Sequence, residues 1–570
     1  MIRPSTLGDS TPDSARNDLT RTPRQLRRHT LWIALVVVGA LVLAACGGDD
    51  GADGTAGEIA DDSGDAGDGT DETADEPSDA PTGDDVLTIR LVTDMSNLDP
   101  AWMTGTYDDA IAMNIMEGLV AFEPGTNELV NVLAETFESS DDGLRHDFTL
   151  KEGIQFHGGY GELTAEDVKF SFERIAGLTD PPLESTYEGD WTGLQEVEVT
   201  GTYSGTIIMS EPSAPLKVIA LPGNAGLVVS KAAVEELGED FATQPIGTGP
   251  YEFTSWSPGS EVVLTKFEDY GGALEGYADP PQWSQIVFRP IEDDSAAGIA
   301  LETGEVDFGQ IAASAVDRFE ADDRFVVDPL TTFDYGWIGM NVADETLADV
   351  NLRRAIRAAL DIDSMITAGF EDRVTPAHTL VSPEMPVGSW DDAPVYERDV
   401  DAALGYLEEA GISDLTLSMA TTEQAGSRTI VEIAQANLAE IGITLDIEVL
   451  DGSQFREEAL DGQLQLFYTS FSNGPDPSWA TVWFTCEQVG DWNYMNWCNE
   501  EFDELHEAAI LELDPDARND MYVRMQEIMD EEAIAAWVMY RTNFYTFSPD
   551  LQISLVPDRY GNYAAWDFRR

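Results

Sequence analysis

Residues 415–471 read LTLSMATTEQAGSRTIVEIAQANLAEIGITLDIEVLDGSQFREEALDGQLQLFYTSF. Apolar and polar positions alternate over Leu415–Ala420, as in a half-buried strand. Ser427–Ile441 then carries Ile430, Ile433, Ala434, Asn437 and Leu438 at helical spacing. Alternation returns at Ile443–Leu450, Phe455–Leu460 reads as a short helix, and Leu464–Phe471 as a third strand. A strand-helix-strand-helix-strand run of this length requires right-handed crossovers and a parallel sheet, so the fold class is α/β. Ligands of such sheets bind beyond the carboxyl ends of the strands. That rule puts Thr421–Glu423, Asp451 and the loop Ser472-Asn473-Gly474-Pro475-Asp476-Pro477 on one rim.

Asp476 stands between two prolines, which restrict the backbone and reduce the entropy lost in holding a carboxylate in place. Trp479, Trp483 and Trp492 follow. A fixed carboxylate beside aromatic faces suits an ammonium group. A turn in which Asp bonds its own backbone, with the tryptophans in the core, accounts for the same residues.

Outward from this unit, strands are expected at Leu87–Leu91, His146–Leu150, Gln195–Thr200, Thr206–Met209, Tyr251–Trp256 and Glu261–Phe267. Ile111, Ile115, Met116 and Leu119 recur at helical spacing. Thr164 with Asp167 marks a helix start, with Val168, Phe172 and Ile175 on one face.

The amino end supplies an address. Arg21, Arg24, Arg27 and Arg28 precede the apolar run Leu31–Ala45, which at about 15 residues is shorter than the roughly 20 of a membrane span. Leu43-Ala44-Ala45-Cys46-Gly47 resembles the bacterial lipobox, which implies cleavage of residues 1–45 and acylation of Cys46. Residues 46–85 are Asp-, Gly- and Thr-rich without an aromatic side chain, a composition expected to form an extended tether. The formal charge of −78, with lysine only at 151, 169, 217, 231 and 266, argues against nucleic acid or anionic lipid as partners. Cys486 and Cys498, near in sequence, are expected to form a disulfide outside the cytoplasm.

Several ordered runs carry a family resemblance. They are Asn97-Leu98-Asp99-Pro100, Met116-Glu117-Gly118-Leu119-Val120, Phe156-His157 with its preceding Phe148–Gln155, and Leu163-Thr164-Ala165-Glu166-Asp167-Val168. Pro245-Ile246-Gly247-Thr248-Gly249-Pro250-Tyr251, Thr303–Asp307 and Leu352-Arg353-Arg354-Ala355-Ile356 follow in the same order. From about Leu87 to the C-terminus the chain resembles the family 5 extracellular solute-binding proteins. The resemblance implies a two-lobe periplasmic-binding-protein-like fold of type II, cluster C. Lobe I would hold residues 86–327 with an extra subdomain at about 119–192, lobe II residues 328–538, and residues 539–570 would return to lobe I. It also implies capture of a peptide-like solute for a membrane importer's permease subunits, by a lipid-anchored monomer.

In peptide-binding members an aspartate after the third strand takes the peptide's amino terminus, and Asp476 is the matching position. Trp479 and Trp483 join it as candidate contacts, Arg428 is the candidate for the peptide carboxylate, and Asn97 is carried over from the first motif. The four tryptophans Trp479, Trp483, Trp492 and Trp497 would also suit a sugar or aromatic ligand, with core packing the alternative for Trp492 and Trp497, which flank Cys498.

The five histidines are scattered and no HExxH, Ser elbow or Cys–His pair occurs, so no catalytic residue, metal or cofactor is assigned. A surface hydrolase and a non-transporting sensor are the alternative readings.

Overall fold

The computed structural model describes residues 85–570 apart from 106, 127, 272–279, 425 and 556–562. The leader at 1–45, Cys46 and all of the 46–85 tether except Asp85 lie outside the described residues.

The unit at 415–471 folds as its periodicity dictates. Strand Leu415–Thr422 lies between Ile443–Leu450 and Leu466–Phe471 and runs parallel to both. Helices Ser427–Glu440 and Gly452–Leu460 make the crossovers. Ile430, Val431, Ala434 and Leu438 are buried against Leu417, Met419 and Leu466 on one face of this sheet. Trp337, Phe467, Phe484 and Tyr522 cluster in the core that also takes up Ala420.

These three strands extend a single eleven-stranded sheet that runs through both lobes. Its lobe I half lines up Tyr251–Ser257, Glu261–Lys266, Gln285–Pro290, Val86–Leu91 and Phe308–Ile311. Two long strands connect the halves: Val326–Met340 and Ala535–Phe547, antiparallel to each other. Their pairing is regular through Thr331↔Thr542 and resumes at Tyr335↔Tyr540, so Thr332, Phe333 and Asp334 face Arg541 alone. A bulge of this kind locally frees the strands to bend. This bulge lies between the two halves of the sheet, a few residues beyond the crossings expected at 327/328 and 538/539. Arg541 reaches Asp334 at 3.4 Å and donates to Ser470 Oγ at 3.1 Å, while Thr332 Oγ1 donates to the Arg541 carbonyl.

The return of the chain end to lobe I is driven by burial. Ala565, Trp566 and Phe568 join Leu87, Ile89, Phe288 and Phe308 in one apolar core. Trp283 Nε1 donates to the Phe568 carbonyl at 2.8 Å, and the Trp566 amide donates to Asn114 Oδ1 at 2.8 Å.

The extra subdomain has its own core around Leu133, Phe148, Phe172, Trp191 and Val228. Its four-stranded sheet orders Ala134–Ser139, Arg145–Leu150, Ser204–Met209 and Leu194–Gly201. The boundary expected at 192 would cut that sheet, because its last two strands follow it. The helix Ala165–Ile175 starts in a full capping box, with the Thr164 amide donating to Asp167 Oδ2 at 3.0 Å. The helical spacing of residues 111–119 is only partly realised. Helix Asp108–Ala112 stops early because Glu117–Gly118 pairs as a short strand with Leu227–Val228. Among the described residues no helix is long and apolar enough to cross a membrane.

Candidate functional site

A cavity of about 150 Å³ opens between the lobes. Lobe I contributes Met113, Met116 and Glu117 from the segment after the first short helix, and Phe122 and Glu123 from the next hairpin. Pro222 and Gly223 close one side, and Tyr563 and Trp566 of the returning chain end another. Lobe II reaches it through a single loop, with Gly474, Pro475 and Trp479. That loop lies beyond the carboxyl end of strand Leu466–Phe471, where an open parallel sheet presents its ligand contacts.

Glu117 is a tightly held polar group in this wall. It is buried, and its carboxylate accepts hydrogen bonds from Thr248 Oγ1 at 2.8 Å and Tyr270 Oη at 2.7 Å. Burial pushes its carboxyl up to about 7, with the two hydroxyls pulling the other way. Thr248 is held by its glycine neighbours. The Gly249 amide donates to the Ile115 carbonyl at 2.8 Å, and a Cβ on Gly247 would collide with that same carbonyl oxygen. Close approach of two backbones, not a tight turn, is what demands these glycines. His157 fastens the loop from the other side: its Nε2 lies 2.8 Å from the Gly249 carbonyl and its own amide donates to the Gly247 carbonyl at 2.9 Å. Burial lowers His157 to about 4, so the ring is neutral, and the Gly249 contact makes Nε2 the protonated nitrogen. Two runs far apart in sequence, Phe156-His157 and Gly247-Thr248-Gly249, thus clasp each other behind the cavity.

Asp476 is not a cavity residue. Its Oδ2 lies 3.0 Å from Arg518 Nη1 and its Oδ1 3.0 Å from Nη2, and the Ser478 amide also donates to Oδ1. Both side chains are almost fully buried, at 2% and 8% exposure. Arg518 further donates to the Ala509 carbonyl and to Tyr522 Oη. The carboxylate expected to meet a ligand ammonium is therefore neutralised inside lobe II. The two prolines still matter, because Pro475 and its neighbour Gly474 are what the loop shows to the cavity.

The remaining candidates separate as well. Trp479 lines the cavity, with its ring 6.4 Å from that of Trp483. Trp483 packs on Phe471 and Trp492 in the lobe II core, one layer back. Trp492 carries the Arg456 guanidinium at 4.2 Å, and Trp497 is buried with Nε1 donating to Glu532. Arg428 sits on the exposed face of its helix beside Glu432 and is not among the lining residues; an i,i+4 pair in water explains it. Asn97 shapes a turn, its Oδ1 accepting from the Asp99 amide at 2.8 Å. Asp99 in turn holds Arg174 through two contacts of 2.8 and 2.6 Å. Asp451 caps the helix that follows it, and Thr421 is buried against the Tyr468 carbonyl. A disulfide joins Cys486 to Cys498, with their Cα atoms 4.5 Å apart.

The profile of the bacterial extracellular solute-binding proteins, family 5 (middle region), matches residues 128–491. The chain belongs to that family. The binding protein is 27% identical to the dipeptide-binding protein of Escherichia coli (strain K12) over 469 residues, 77% of this chain and 86% of that one. It is 26% identical to the glutathione-binding protein GsiB of the same strain over 467 residues, 78% of this chain and 87% of that one. The solved structure of HbpA2 from Haemophilus parasuis superposes with a TM-score of 0.76 at 23% identity, covering 85% of this chain and 99% of that one. The binding protein is accordingly an extracytoplasmic solute-binding protein built on the type II two-lobe fold.

Most of the cavity wall escaped the sequence reading. Met116-Glu117-Gly118 was a motif without an assigned task, and its one usable signal was a carboxylate inside an apolar run. Phe122, Pro222, Tyr563 and Trp566 carried no signal, since the three chain segments that hold them meet only in the folded molecule.

Proposed function

We propose that this chain is a lipid-tethered capture protein that closes its lobes on a small amine-bearing solute of the peptide class and releases it, unaltered, to a membrane permease. One observation carries the reading: the cavity lies between two lobes that, among the described residues, are joined by two long strands, and each lobe supplies part of its wall. Hinge closure about such a pair encloses a guest without covalent chemistry. The curated relatives named for dipeptide and glutathione binding support the peptide class. The apolar run before Cys46 supports the tether, whose acyl chain would keep the protein at the membrane it serves.

Calorimetry with a peptide panel, combined with solution scattering, tests the capture. The expected result is saturable binding, a smaller radius of gyration in the bound state and no product on prolonged incubation. A panel member consumed during incubation would replace capture by catalysis. For the tether, Cys46→Ser is expected to move the protein from the membrane fraction to the soluble one; continued sedimentation with membranes would sink it.

A further inference from the structure

The charge of the cavity wall is one-sided. Asp109, Glu117, Glu123 and Asp567 line it, and no Lys, Arg or His does so among the described residues. The rest is apolar or aromatic, including Met113, Met116, Phe122, Trp479 and Trp566. A free peptide carries a carboxylate as well as an ammonium. Burying that carboxylate in an apolar cavity beside Asp109 and Glu123 is strongly unfavourable without a cation to receive it. Arg518, the arginine paired with the lobe II loop, is spent on Asp476.

An ammonium finds the opposite setting. Glu117 is fixed by its two hydroxyl donors, and the half-buried Glu123 carboxylate has no hydrogen-bond or ion-pair partner among the described residues. Asp109 is buried on the same side, with Asn224 Nδ2 donating to it at 2.8 Å. Among the described residues no set of His, Cys, Asp and Glu is arranged to hold a metal ion, so the cation these groups suit is organic. Its body meets Trp479 and the methionines, and aromatic faces add to the attraction for a cation.

We propose that the solute is an apolar-bodied organic cation without a carboxylate, its ammonium placed among Asp109, Glu117 and Glu123 and its body against Trp479, Met116 and Phe122. Carboxyl-amidated amino acids or short peptides and arylalkyl amines have this chemistry. The inference rests on the capture reading above and narrows it to one ligand class.

Calorimetry on the full chain tests it with two trios of probes. One is phenylalaninamide, phenylalanine and N-acetylphenylalaninamide; the other is the same trio built on phenylalanyl-leucine. The amidated free amine is expected to bind at least about tenfold more tightly than the free acid, and acetylation to abolish binding, as charge-assisted contacts require. Equal or tighter binding of the free acid, or of the acetylated amide, would overturn the assignment. If neither trio binds, a thermal-shift panel of organic amines, anions, neutral sugars and metal chelates separates the two failures. A hit only among anions, sugars or chelates overturns the cationic class and leaves capture standing. A hit among amines sustains the class. No hit in any class overturns capture. In the double variant Asp109→Asn, Glu123→Gln, with folding verified by circular dichroism, the tenfold preference is expected to fall below about threefold; an undiminished preference would overturn the placement of the ammonium.

Discussion

Arg518 donates a hydrogen bond to Asp476 Oδ1 and pairs with its Oδ2 at 3.0 Å, out of reach of water, while the Ala509 carbonyl accepts from the guanidinium. Removing one charge from such a pair strands the other, a loss of about 3–5 kcal/mol. Asp476→Asn is therefore expected to lower folding stability by about 3 kcal/mol in chemical denaturation. Intrinsic ligand affinity should change far less, since Asp476 is not in the cavity lining. A variant of undiminished stability that no longer binds ligand would return Asp476 to the site. Glu117 makes a pH prediction. Its carboxyl, raised by burial to about 7, keeps its proton in the folded chain where the unfolded chain has already lost it. The stability it contributes is full below about 4.5 and is lost as pH rises through 7. Glu117→Gln should flatten that decline and, at pH 8, exceed the parent by up to about 3 kcal/mol. His157, held near 4, acts oppositely, its share being lost as pH falls from 6.5. Comparing melting temperatures of parent and variant across pH 5–8 isolates Glu117, and parallel curves would refute its buried titration.

At the level of elements, the run Leu352–Ile356 shows what a motif does when it is not a site. Helix Val350–Ala359 points Arg353, Arg354 and Arg357 at the end of helix Pro515–Glu531. They donate to the carbonyls of Glu532, Glu531 and Asp530, respectively. Those are the terminal acceptors that a long helix leaves unsatisfied, at the negative end of its dipole. Arg353 is buried and also donates to Leu347 and Ala348. Arg353→Met removes four charge-assisted contacts and is expected to cost about 3 kcal/mol of stability. Hydrogen exchange should show fraying at the C-terminal end of Pro515–Glu531 first. Protection unchanged there would mean that the cap is redundant.

Across the two lobes, several contacts lie away from the bulge, and they would weight a closed form over an open one. The Ala214 amide of lobe I donates to the Ile510 carbonyl of lobe II at 2.9 Å. The Leu513 side chain lies against Gly143 and Pro212, so close that a Cβ on Gly143 would come within 2.8 Å of it. On the bulge's other flank Arg373 of lobe II pairs with Asp317 of lobe I. Leu513→Asp would put a charge into the contact with Gly143 and shift the population toward the open form. The apparent affinity for any ligand then falls by the fraction of closed molecules lost, about three- to tenfold. A larger radius of gyration in the ligand-free state should accompany it. Unchanged scattering would show that closure does not depend on this contact.

The parallel unit at 415–471 was legible because its apolar periods switch cleanly between two and about 3.6, and only one chain topology satisfies both. The capping box at Thr164 and the pairing of Cys486 with Cys498 were legible for the same reason: their partners are near neighbours in sequence. Asp476, Arg428 and Asn97 were misplaced because residue type fixes what a side chain can bond, while the partner comes from elsewhere in the chain. Arg518 lies 42 residues from Asp476 and claims it. The cavity is the extreme case, built from chain segments as distant as Met113 and Trp566. Local pattern specifies strands and helices through short-range sterics and burial. Which polar groups neutralise one another, and which are left facing a guest, follows from long-range packing.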